Sequence, residues 1–218
     1  MRENTLIWIM GSVAIVIGFL LVNGWFSTYE TFVYPDYAAA ATSSAVTVSA
    51  SIQAVISCST NTGSTDFGTW TDTSIKTSSP NASSTMSCVN SATGCTLYVK
   101  DAGGGGNPGL WNSTASALIE SPNAAFSATS TLTDGTEGYG IQATTTAAGS
   151  GATLTIAPKY LQTGDTVGGL ATTTSVTLAS NNATSSNREV VVTHKAAVAS
   201  VTPAGTYADT ITYECTAN

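Results

Sequence analysis

Between Ala45 and Cys58 apolar and polar residues alternate almost without a break. Val46, Val48, Ala50, Ile52, Ala54, Ile56 and Cys58 share one face, and small polar residues take most of the other. A strand pleats with a period of two, so this pattern predicts one half-buried β-ribbon over residues 45–58. That is about twice the usual strand length. The same period recurs in shorter runs near 83–89, 95–100, 126–132, 138–146, 152–158, 174–178, 189–195 and 206–216. The breaks carry NTGSTDFG, DAGGGGNPG, TDGTEG and TGDTVGG, in which Gly, Asn and Asp supply turn geometry. Short strands with turns at this spacing predict an all-β, antiparallel, Ig-like sandwich over residues 45–218.

The first part of the chain has a different pattern. Thr5 to Phe26 is one apolar stretch of 22 residues. As a helix it measures about 33 Å, enough to cross a hydrocarbon core of about 30 Å. Arg2 precedes it, and no Lys or Arg follows until Lys76. That asymmetry places the N-terminus in the cytoplasm and the bulk of the chain outside. A secretory signal peptide cleaved within Tyr37 to Thr42 is the competing reading. The length of the run, and the aromatic segment between it and Ala38, favour a retained helix over residues 1–28. Gly11, Ala14 and Gly18 give that helix a small-residue face able to pack against another helix. Residues 29–44 read as a connector interrupted by Pro35.

Composition narrows the function. The chain has 218 residues and a net charge of −7, with only 9% charged residues. An acidic chain without Lys/Arg clusters is a poor partner for nucleic acid. Its four cysteines, Cys58, Cys88, Cys95 and Cys215, lie on an exported chain, which favours two disulfides. Each falls on the apolar face of its predicted strand. A zinc site is the alternative, but Cys88 and Cys95 have the wrong spacing and no nearby His. Four cysteines allow three pairings, and the pattern does not choose among them.

CSTNTGSTDFGTW, STMSCVNSATGCTLYV and PAGTYADTITYECTAN together resemble the spore coat U domain, a relative of the chaperone–usher pilins. The likeness covers the ends of the β-domain and little of residues 101–190. It implies a pilin-like sandwich with Cys58 paired to Cys88, which leaves Cys95 for Cys215. The competing pairing is Cys88 with Cys95 and Cys58 with Cys215. The resemblance also implies an incomplete sandwich, completed by an extended segment from a neighbouring subunit. Residues Val46, Val48 and Ala50 would then donate a strand. Alternatively the ribbon crosses both sheets of its own sandwich. TLIWIMGSVAIVIGFLL resembles the N-terminal helix of type IV pilins, although no Gly-Phe processing site precedes Thr5 and Trp8 stands where that family has an acidic residue.

Enzyme signatures are missing: the sequence has no G-x-S-x-G elbow, Walker loop or His-Glu motif. His194, the single histidine, is expected near a strand end or on the surface. Asp101, Asp134 and Glu137 sit in turn sequences that also suit calcium, and Asn81, Asn112 and Asn182 head glycosylation triplets. No cofactor is expected. The expected function is a structural subunit of a surface filament, pilus or coat, with other copies of itself and the membrane as partners. A monomeric, membrane-anchored adhesin or carbohydrate-binding module is the alternative.

Overall fold

A computed structural model describes residues 47–122 and 128–218. The expected N-terminal helix with Gly11, Ala14 and Gly18, the connector 29–44 and Val46 lie outside the described residues. The chain divides into Met1–Ser49 and Ala50–Asn218, and the second unit carries every strand below. No helix occurs among the described residues.

The strands form two principal antiparallel sheets. The larger runs β1 (Val55–Thr60), β3 (Ala82–Val89), β13 (Ser185–Ala197), β8 (Gly138–Thr145), β11 (Thr166–Gly168) and β7 (Thr129–Thr131). Two short strands, β2 (Lys76–Thr77) and β9 (Ser150–Gly151), also pair with β13. The smaller sheet runs β10 (Thr155–Ile156), β12 (Val176–Ser180), β4 (Cys95–Asp101) and β14 (Ile211–Ala217). A separate hairpin joins β5 (Gly109–Asn112) to β6 (Ala117–Glu120). Met86, Ile141, Val190 and Val192 of the larger sheet share one core with Leu97, Val99, Ile156 and Leu178 of the smaller. The result is a β-sandwich. Each fully buried Leu or Ile contributes about 1.5–3 kcal/mol relative to an exposed one.

The long ribbon is shorter than its pattern suggests. Thr47 to Ala54 forms no strand and is exposed, and β1 starts only at Val55. The reason is the partner. Val55 lies opposite Val89, the last residue of β3, and Asn90 then turns the chain at φ 60°. Upstream of Val55 nothing in β3 remains to pair with. Within Ala50–Asn218, the part of the ribbon before Val55 therefore joins neither sheet. Val48 and Ile52 are 88% and 74% exposed, and Ala50 is exposed with them.

The cystines also correct an expectation. They join Cys58 to Cys215 and Cys88 to Cys95, not Cys58 to Cys88. In the β1–β3 register Cys58 faces Met86, so Cys58 and Cys88 sit in one sheet without being opposite. Both bonds instead tie the larger sheet to the smaller. Asn90 to Gly94 is the turn by which the chain changes sheets.

Asn181 secures this corner. Its Oδ1 accepts from the Cys95 backbone N–H at 2.9 Å, and its Nδ2 donates to Ser185 Oγ at 2.7 Å. Gly94 has φ 78°, and a Cβ there would stand 2.4 Å from the Asn181 carbonyl oxygen. Asn181→Ala strands a buried N–H and removes both bonds. A loss of about 2–3 kcal/mol is expected in a denaturant titration.

Candidate functional site

Each sheet ends in a strand with one partner, and two such edges lie on the same side of the sandwich. These are β1, paired only with β3, and β14, paired only with β4. The Cys58–Cys215 bond bridges them. By the period of two, Ile56 and Cys58 face inward on β1, while Ile211, Tyr213 and Cys215 face inward on β14. Ile56, Ile211, Tyr213 and Cys215 remain half-buried, and Cys58 is exposed. The apolar interior is thus incompletely covered along this side.

A cavity of about 320 Å³ opens between the residues after β1 and those before β14. Phe67, Leu110, Tyr139, His194, Asp209 and Tyr213 are among its walls. Their placement follows from the pleat. Inward positions of β8 are Tyr139, Ile141 and Ala143, and those of β13 are Val190, Val192, His194 and Ala196, all buried. His194 is therefore a core residue at 4% exposure on the long central strand, not an edge or surface residue. Burial pushes its imidazole down to about 4, so the ring is neutral at neutral pH. The Tyr139 hydroxyl lies 2.9 Å from His194 Nδ1 and donates to Asp209 Oδ2 at 3.2 Å.

Asp101 occupies the inward position of β4 after Cys95, Leu97 and Val99, and it is fully buried. Neither carboxyl oxygen has a hydrogen-bond partner. The Gly103 and Gly109 N–H groups and the Asp209 carboxyl lie close around it. Loss of hydration, then the negative charge of Asp209, pushes the Asp101 carboxyl up to about 8. Burial raises Asp209 as well. Asp209 accepts from the backbone N–H groups of Thr210 at 2.7 Å and Gly103 at 3.3 Å.

A second cleft, about 630 Å³, lies between residues 66–73 and 198–207. Phe67, Trp70 and Tyr207 line it beside Asp66 and Asp72. The Phe67 and Trp70 rings are 5.4 Å apart, and Lys76 Nζ sits 5.4 Å from the Trp70 ring centre.

The other candidate residues have local duties. Asp134 Oδ1 accepts from the Ile75 N–H at 2.9 Å, and Glu137 accepts from the Thr202 hydroxyl. Among the described residues no group of three or more His, Cys, Asp or Glu is arranged to hold a metal ion. Asn112 is 1% exposed, with Oδ1 capping the Thr114 and Ala115 N–H groups, so its triplet is closed to a glycan. Asn81 and Asn182 are exposed.

No family model, curated protein or solved structure matches this chain.

Proposed function

We propose that the protein is a structural subunit of an extracellular filament, pilus or coat, with an Ig-like, pilin-like sandwich completed by contact with other copies. One observation carries this reading. The alternating segment before Val55 has strand chemistry but no strand partner in its own sheet, and Ile52 is 74% exposed. Unpaired N–H and C=O groups beside alternating apolar side chains favour addition to a sheet edge elsewhere. The β14 edge, with half-buried Ile211 and Tyr213, offers such a place. Low charge helps copies pack closely, since few ions must be desolvated. Two cystines suit an oxidising, extracellular setting. The apolar stretch Thr5 to Phe26 supplies either a membrane anchor or a helical core.

Electron microscopy of the full chain purified from a producing cell surface tests this. Regular filaments or sheets are expected. Dispersed monomers, both in detergent and on cells, would overturn the proposal.

The aromatic cleft favours a second reading, an anchored carbohydrate-binding module. Phe67, Trp70 and Tyr207 supply ring surface, and Asp66 and Asp72 supply acceptors for hydroxyl groups. Titrating monomeric full-length protein with soluble oligosaccharides while following Trp fluorescence separates the two readings. Saturable quenching that Trp70→Ala removes supports the module.

A further inference from the structure

Two carboxyl groups meet inside this sandwich, and the strand register shows why. Ile211 of β14 lies opposite Asp101 of β4. Asp209, two residues upstream, is then the diagonal neighbour of Asp101 on the same face. The backbone continues the ladder at this point, with Ala102 N–H donating to the Thr210 carbonyl at 2.9 Å. Neither oxygen of Asp101 receives a well-formed hydrogen bond from an N–H or O–H group of the described residues, the Asp209 carboxyl lies beside it, and the residue is fully buried. Two ionised carboxylates here would leave uncompensated charge out of water, which is strongly unfavourable.

Among the described residues no cation faces the pair. Lys100, the neighbour on β4, points to the opposite face by the pleat. From β13 comes a neutral His194, and from β8 and β14 come Tyr139 and Tyr213, whose phenols burial keeps protonated. The Tyr213 hydroxyl has no partner either.

We propose that Asp101 and Asp209 hold one proton between them and act as a latch. The latch fastens the chain before β14 to the glycine-rich turn after β4, and it opens when the pair loses that proton. What it controls follows from position. Thr202 to Tyr207 walls the larger cleft, and Tyr207 to Thr210 walls the smaller. The same segment leads directly into the open edge β14. Opening the latch loosens both cleft walls and the edge together. The sign is fixed by linkage. The folded pair keeps a proton that a free Asp releases near pH 4, so the latch is at full strength below about pH 4 and is lost progressively as pH rises from there through about 8.

Hydrogen exchange of the full chain at pH 6 and pH 9, corrected for the intrinsic rate, reads this directly. Protection over residues 202–217 is expected to fall about tenfold or more relative to β3 and β13, one decade for each pH unit in which the proton is lost. Asp101→Asn cannot ionise, so its protection should be the same at both pH values. Infrared spectroscopy of the unaltered protein needs no variant, and a protonated-carboxyl stretch is expected at pH 6 that fades by pH 9. An equal fall in protection in the Asn variant would overturn the latch. So would the lack of that stretch, or protection that follows added calcium or EDTA instead of pH.

Discussion

Replacing Cys58 and Cys215 with serine is expected to lower the stability of the sandwich by about 4–5 kcal/mol. The bond closes a loop of 157 residues, whereas Cys88–Cys95 closes one of 7. Loop-closure entropy grows with the logarithm of loop length, so the short loop alone contributes about 2 kcal/mol. Position strengthens the contrast. Cys58–Cys215 joins two edges that no backbone ladder holds together, while Cys88–Cys95 lies where Asn181 already fixes the turn. A guanidinium titration of the Cys58→Ser, Cys215→Ser double variant checks the figure. Partial reduction gives an independent test. Cys58 is exposed and Cys88 and Cys95 are fully buried, so a mild reductant should open the long-range bond first, as mass spectrometry of alkylated protein would show. The reverse order would contradict the packing described.

The fold class was readable because β-branched and small residues alternate with turn residues over most of residues 83–216. The strand pattern missed β5 and β6 in GLWNSTASALIE, where apolar residues cluster without a period of two, and β11, which has only three residues. It also overran at the ribbon. Alternation reports what a segment is suited to, but a strand exists only where a partner remains, and β3 ends at Val89. Pairing of the cysteines needed three dimensions. The turn at Asn90 to Gly94 moves the chain to the other sheet, and no local pattern distinguishes that turn from a hairpin within one sheet.

The acid cluster was nearer to hand. Cys95, Leu97 and Val99 alternate onto one face, and the next position on that face is Asp101. Ile211, Tyr213 and Cys215 do likewise, and the preceding position is Asp209. Extending each face by one step places a carboxyl at a core position, which is rare enough to mark a site. The same step on EVVVTHK puts His194 in line with Val190 and Val192. What the pattern could not supply was their convergence, because β4, β8, β13 and β14 come together only through the sheet order.

The segment before Val55 leads to the second large effect: polymer formation should be lost when its strand chemistry is broken and kept when its side chains are merely shortened. Val48→Pro removes a ladder donor and fixes φ near −65°, so it should abolish assembly. Ile52→Asp places a charge where an apolar pocket would receive the side chain, with a similar result. Ile52→Val removes one methylene, costs about 1 kcal/mol per contact, and should leave filaments intact. Neither of the damaging variants should lower the melting temperature of the subunit, since Val48 and Ile52 are exposed and outside the sheets. That separation distinguishes assembly from folding. Gly11→Leu and Gly18→Leu test the competing route through helix packing, because bulk at those positions keeps backbones apart. If the glycine variants fail to polymerise while Val48→Pro succeeds, the helix carries assembly and the strand does not. If a chain lacking residues 1–50 still folds and still forms the native polymer, both routes fail. Lateral contacts between sandwiches must then hold the filament.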